Sequence, residues 1–467
     1  MVQILRFGDL SHSGTIRPPG NKTQWVSDGD AGELLQPGDI LVTRAFPFGG
    51  ARAAIVHEAD IPAVAGPHLY YLRPTSDVPE LYAQLILAYL SSGALDYHAY
   101  GAANLAHIRR SDLIKLHLPK RDDILSEALS EIVKAGGELR HWSEEAESII
   151  GSVFGPHGHT TSTVRHQVIE TGQLLRLRVD AAGQLDDFGY TVRTRFPYPI
   201  ALRWREVEAR VSAEDLRPAY TAVLAAAEIL LAYCALITAA LARDASIELS
   251  NVASMRTKLA GKGGGGPGIG EWTVILQEIA SPKKRKGLPD EHPLHDLGQL
   301  LADNNTEGAR KRLAMRRHDE AHERRVDDVN LPTAVNESLA DLKILLERAM
   351  FLADMPLIEV TSVDWNALRK ETSLSLRRLM GDHPVVPTEA MSHHTNKIER
   401  RSLYLLGRDR SLHLLRPYLI GKICSECRTW STFHIDKVAG EFVMKTLEHG
   451  HWVQEFDQPS LQEAGLL

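Results

Sequence analysis

Two cysteines separated by two residues, Cys424 and Cys427, stand upstream of His434, His449 and His451, and this is the arrangement in the chain best suited to holding a metal. Deprotonated sulfur and neutral imidazole together make a tetrahedral zinc site. No second C-x-x-C accompanies it. The single knuckle therefore admits three readings: zinc bound by Cys424, Cys427, His449 and His451, a metal-free remnant of a zinc ribbon, or a chance spacing. Cys234 lies in an apolar run and reads as packing. A second spacing with chemical content is Arg317 and His322 in MRRHDEAHERR. An imidazole can move a hydroxyl proton while a guanidinium steadies the charge of a phosphorane. The glycine run GKGGGGPGIG lacks the Lys-Ser/Thr ending of a phosphate cradle and follows no strand, so it reads as a linker, and PKKRKG reads as a solvated loop. The chain has no methyltransferase motif, no P-loop, no defensible nuclease carboxylate set and no G-x-S-x-G. A protein without a catalytic centre of its own fits best.

The elements that must position these residues follow from periodicity. Pro37, Gly38 and Asp39 are turn chemistry, Ile40 to Val42 make a buried strand, and Ala53 to Val56 make a second, so the pair reads as a hairpin with Arg44 and Arg52 near its tip. Apolar residues from Val78 to Ser92 recur at helical spacing. Residues 123–154 form a helical connector, interrupted at Gly136 and Gly137 and so read as two helices. Residues 155–198 alternate between glycine turns and read as a small β element. Helices are expected at 214–243, 270–280, 294–325 and 333–353, within a bundle spanning 199–370. The remainder, 371–467, is rich in strands and carries the knuckle. The expected fold class is α+β: an N-terminal mixed domain, a central helical bundle and a small β-rich C-terminal domain.

The stretch QPGDILVTRAFPFGGARAAIV, followed by a helix and then by GAANLAHIRRSDLIKLHLPKRDD, resembles in element order the target recognition domain of a type I restriction-modification specificity subunit, over residues 1–122. The final part, from Lys115 to Pro119, is expected to be a strand. In that family, loops and hairpin tips face DNA. The resemblance makes Arg44, Arg52, Asn104, His107, Arg109 and Arg110 candidates for contacts to bases, because Arg and Asn can make bidentate contacts to guanine and adenine edges. Lys115 and Lys120 fit phosphates, which carry no sequence information. Specificity subunits separate two recognition domains with long helices that pack together and bind the methyltransferase. Only one such domain is visible here, which implies either a half-site reader that pairs with a second copy or one reader attached to something else. Arg317 and His322 match the arginine-x4-histidine signature of HEPN ribonucleases, whose helical bundles dimerise and cleave RNA. The helical bundle followed by LRPYL, the knuckle and a closing GH resembles the C-terminal half of bacterial phage-defence proteins.

At 467 residues, with 43% hydrophobic and 24% charged residues, the chain is an ordinary soluble protein long enough for several domains. Its net charge of −7 points to no specific partner, three cysteines cannot make a disulfide framework, and the N-terminus lacks the layout of a signal peptide, so the cytoplasm is expected. Residues 1–125 carry 11 Lys plus Arg against 13 Asp plus Glu. DNA binding by this part therefore requires its positive charge to be segregated onto one face, or a partner that adds phosphate contacts. The longest apolar run, Ile229 to Ala242, reads as a buried helix too short to span a bilayer. The expectation is a specificity factor for double-stranded DNA that docks a separate methyltransferase or defence effector, the partner holding S-adenosylmethionine. The alternatives are a HEPN-type ribonuclease using Arg317 and His322, and a non-catalytic adaptor in a defence complex.

Overall fold

The structure, a computed structural model, describes residues 1–467 except 12–13, 22, 31, 47–49, 76–79, 102–105, 155–161, 185–186 and 262–264. It divides into two compact units, Met1–Arg178 and Val179–Leu467.

In the first unit, β1 (Val2–Leu5) pairs antiparallel with β2 (Gln24–Val26) and parallel with β6 (Ala63–Ala65). The central strand β3 (Ile40–Thr43) lies between β5 (Ala53–Ile55) and β7 (Leu69–Leu72), antiparallel to both, and is buried on both faces. Its entry is fixed locally: Gly38 takes φ +91°, its N–H donates to the Val56 carbonyl at 2.8 Å, and Asp39 accepts from the Gln36 N–H at 2.8 Å. A β-carbon would make that left-handed conformation costly. The expected hairpin is present, with one addition. Between its strands, β4 (Ala45–Phe46) leaves the sheet to pair with β8 (Ala106–His107). The helix α1 (Glu80–Tyr89) covers β3 and β5 through Ala83, Ile86 and Leu87, and α2 (Arg110–Ile114) follows β8. Residues 116–120 continue as irregular chain and not as the expected strand.

The connector differs from the expectation. α3 (Asp123–Phe154) is one helix that runs straight through Gly136 and Gly137, and α4 (Ser162–Gln184) occupies most of the segment expected to be a small β element. Each glycine costs about 1 kcal/mol relative to alanine in a helix, which the Leu-, Glu- and Ala-rich turns on either side offset. In α4 the alternation of LLRLRV is too short to specify a strand. Leu and Arg are strong helix formers, and Leu174 and Leu177 share one helix face. Arg178 lies over the Trp142 ring at 5.0 Å and pairs with Glu145 at 2.8 Å, tying α4 to α3.

The second unit is built around α7 (Leu216–Asp244), buried on nearly all sides. By length and composition this 29-residue helix could cross a membrane, but 83% of its most apolar window is buried within the protein. It is longer than the run read from sequence, and it is the core helix. Against it pack α6 (Tyr198–Ser212), α9 (Ile269–Ala280), α11 (Asn304–Ala321) and α12 (Leu331–Arg348), with α5 (Phe188–Arg195), α8 (Ser250–Ala260) and the short α10 (Leu294–Leu297) at the margins. The helix expected over 294–325 is thus broken, because Asp303 caps α11 through the Thr306 N–H. Strands begin at β9 (Leu357–Asn366), earlier than the expected end of the bundle at 370. One sheet orders β11 (Thr388–His393), β10 (Glu371–Arg378), β9, β12 (Ser402–Leu406) and β13 (Leu412–Leu414). A second orders β14 (Ile420–Ile423), β15 (Trp430–Val438), β16 (Glu441–Thr446) and β17 (Trp452–Val453), and α13 (Gln458–Glu463) follows. Phe433, Ile435 and Met444 of the second sheet join the same apolar cluster as α7 and α9.

Two loops expected to be solvated are tied down. Gly265 bridges to Val438, and a β-carbon on Gly266 would lie 1.7 Å from Asp436 Oδ1, so the described end of the glycine run is packed against β15 and is no free linker. In PKKRKG, Arg285 is buried and donates to the carbonyls of Ala280 and His295.

Candidate functional site

In the first unit, β4 and β8 bring several of the expected residues to one edge. Arg44 precedes β4, its carbonyl accepts from the Ile108 N–H at 2.9 Å, and its guanidinium lies 5.8 Å from the Tyr70 ring centre. His107 pairs across to Ala45, and Tyr100 pairs with His107 through both backbone hydrogen bonds. Arg109 lies over the Tyr100 ring at 4.2 Å, and Arg110 begins α2. Ile108 is buried between them and is held by the Tyr70 hydroxyl, which donates to its carbonyl. Arg44, Arg109 and Arg110 are all exposed, and among the described residues none has a carboxylate partner. Arg73, by contrast, is fully engaged by Asp39 and Glu33. The positive charge of the unit is therefore not spread evenly: acidic groups consume it at Arg73 and leave it uncompensated along β4 and β8.

Arg52 does not belong to this edge. Its guanidinium donates to the Leu10 carbonyl at 2.9 Å and covers the Phe7 ring at 4.4 Å, and burial pulls its pKa down, with Arg17 adding to the effect. It ties an N-terminal loop to the sheet, away from the β4–β8 edge. Asn104 lies outside the described residues. Lys115 is exposed at the C-terminal end of α2 and Lys120 is exposed beyond it. Tyr100 and the 91% exposed Tyr97 were not among the expected contacts. Their signal was present in DYHAYGAANLAHIRR, where tyrosines interleave with basic residues, because arginine stacks on aromatic rings.

In the second unit, Cys424 Sγ, Cys427 Sγ and one nitrogen of His451 all lie within 4.8 Å of one another. His449 is not in this group. Its ring sits 5.5 Å from that of His451, and burial lowers its pKa, with His451 adding to the effect. His434 is excluded by its position, as it is buried against Trp272 with Nδ1 against the Ile435 carbonyl. Burial pushes the Cys427 thiol up, yet the Thr429 hydroxyl at 2.8 Å, the Thr429 N–H, His451 and Cys424 outweigh it and bring the thiol down to about 7. Cys234 is buried in α7, where desolvation pushes its thiol far above the ordinary range.

Arg317 pairs with Glu228 of α7 at 2.8 Å, while His322 caps the end of α11, its ring tilted against that of His318 with the centres 4.3 Å apart. The arginine is thus occupied by a carboxylate at the same time as it matches the spacing of a nuclease pair. A further network was not legible in sequence: His413 Nδ1 contacts Asp244 Oδ2 at 2.9 Å, and its Nε2 contacts Ser411 Oγ at 2.9 Å. It joins β13 to the end of α7. The His413 hydrogen bond depresses the Asp244 pKa against the raising effect of burial. A depressed carboxylate contributes stability that is fully present above its unfolded value, near 3.8, and lost as pH falls through the folded value. Asp244→Asn is accordingly expected to lower unfolding stability by about 1 kcal/mol at pH 7, the half-exposed carboxylate keeping the figure small. The deficit measured in denaturant titrations should then shrink as pH falls below 3.8 and through the folded value. A deficit unchanged by acidification would show that the ionised carboxylate is not the cause.

Comparison with protein families, with curated proteins and with solved structures finds no match to this chain.

Proposed function

We propose that the chain is a sequence-specific DNA-recognition subunit of a restriction-modification or phage-defence complex, acting in the cytoplasm and guiding a separate methyltransferase or effector. The observation that carries this reading is the edge of β4 and β8, where among the described residues Arg44, Arg109 and Arg110 stand exposed without carboxylate partners, and Arg109 and Arg44 lie over the rings of Tyr100 and Tyr70. Stacking holds a guanidinium in a fixed plane, which suits bidentate contact with a guanine edge. Among the described residues no carboxylate pairs with these arginines, which is the segregation of positive charge that an acidic unit needs to meet nucleic acid.

The α3–α4 pair supports the second half of the proposal. At about 1.5 Å per residue, α3 is about 48 Å long. Leu125, Ile132 and Leu139, seven residues apart, are 46%, 66% and 59% exposed along it, a spacing suited to a helical partner. The reading implies that S-adenosylmethionine sits on the partner. The test is reconstitution with methyltransferase subunits that copurify with the chain. Modification of one short motif only when the chain is present is expected. Modification that is the same with and without the chain would refute the reading.

A further inference from the structure

We infer that Cys424, Cys427 and His451 form a binding site for a thiophilic divalent metal of the zinc class, in which Glu426 orients the histidine. The site is independent of the nucleic-acid reading.

Backbone geometry sets the ligands on two tight turns at the same end of the four-stranded sheet. The first joins β14 to β15: the Cys424 N–H donates to the Thr429 carbonyl at 2.8 Å, the Arg428 N–H donates to the Cys424 carbonyl at 3.0 Å, and Arg428 takes φ +60° to close the loop. The second joins β16 to β17: the Thr446 N–H donates to the His451 carbonyl at 2.8 Å, the Gly450 N–H donates to the Thr446 carbonyl at 3.1 Å, and Gly450 takes φ +72°. A hydrogen bond from the Leu447 N–H to the Thr432 carbonyl at 3.0 Å joins the two hairpins beneath them. Three ligand atoms from the two turns are thereby brought together by backbone hydrogen bonds.

The spacing fits the ion. Cys424 Sγ and His451 Nδ1 are 3.6 Å apart. In a tetrahedron with metal–sulfur bonds of about 2.3 Å and metal–nitrogen bonds of about 2.0–2.1 Å, the sulfur–nitrogen edge is about 3.6 Å. The second ring nitrogen has a partner as well: His451 Nε2 faces Glu426 Oε1 at 3.3 Å, which places the carboxylate where it would accept the Nε2 proton once Nδ1 is bound to a metal. A ligating histidine with its other nitrogen on a carboxylate is the usual outer-shell arrangement of metal sites. Two thiolates exclude hard ions such as magnesium and calcium, which take oxygen ligands. On binding, both thiols release their protons to solvent and the two thiolates balance the charge of the ion. The fourth position is left to water or to a donor from outside the chain.

The experiment uses the full chain purified without chelators, with metal measured by plasma mass spectrometry and by the absorption of the cobalt-substituted protein. About one zinc per chain is expected, together with a thiolate-to-cobalt charge-transfer band. Cys427→Ser and His451→Ala should lose the zinc, whereas Cys234→Ser and His449→Ala should keep it. Glu426→Gln should keep the band and release zinc to a competing chelator about 10- to 100-fold more readily. If the cysteine variant does not fold, the cobalt spectrum of the unmodified chain still decides. Absence of a charge-transfer band there, or zinc absent from His449→Ala and present in His451→Ala, would overturn the proposal.

Discussion

Exchanging Arg109 and Arg110 together for alanine is expected to weaken binding of the cognate DNA duplex by about 1–3 kcal/mol for each base edge that is no longer read, or about 5- to 150-fold for each. The structure gives the double variant a clean interpretation. Both side chains are exposed, and Arg109 touches only the face of Tyr100 among the contacts described. Removing them opens no cavity and strands no buried partner. Two measurements separate their roles. A residue on a phosphate weakens binding equally for all sequences and lowers the salt dependence, whereas one on a base edge relaxes discrimination at one position. Arg52→Ala is the matching control: it should leave DNA binding intact and reduce stability, since Arg52 secures Leu10 and Phe7. Titration of labelled duplex at several salt concentrations checks both. Unchanged affinity in the double variant would remove the β4–β8 edge as the contact surface.

Replacing Arg73 by alanine is expected to destabilise the first unit, because it strands the buried Asp39 carboxylate. Asp39 is fully buried, and Arg73 meets it with Nε and Nη2, both at 2.9 Å, while Nη1 reaches Glu33 at 2.9 Å. The hydrogen bonds to Asp39 hold the guanidinium pKa above its usual value against the opposing effect of burial. Without Arg73, the Asp39 carboxylate keeps only the Gln36 N–H among its described partners. Because Asp39 opens β3, and β3 leads directly into Arg44 and β4, loss of this pair should also loosen the recognition edge. Hydrogen exchange of the β3 amides, compared between parent and variant, reads the effect locally. Exchange confined to the termini and unchanged in β3 would show that the pair has no part in holding the strand.

How much was legible in the sequence depends on how local the determining physics is. The turn at Gly38 and Asp39, the strand at Ile40, the paired strand at Ala53 and the helices α7, α9 and α12 could all be read, because each is specified by a short run of residue types at its own periodicity. The metal knuckle was legible to the level of two cysteines and a choice among histidines. The choice itself was not, since His449 and His451 are equivalent in sequence and only the turn at Gly450 directs His451, and not His449, toward the sulfurs. The segment 162–184 was misread as strands because a five-residue alternation looks the same on a helix and on a sheet. What decides is the ion pair and stacking of Arg178 with Glu145 and Trp142, residues more than thirty positions away.

By itself, then, the sequence determined the α+β character of the chain, its principal strands and helices and the residue types at its candidate sites, because periodicity and turn chemistry act over a few residues. Only the tertiary structure decided which charges remain available. Arg44 and Arg109 face solvent while Arg52, Arg73, Arg285 and Arg317 are held by carbonyls and carboxylates. The physical reason is that an arginine's role depends on the partner within reach of its guanidinium, and here those partners come from elements far away in the chain.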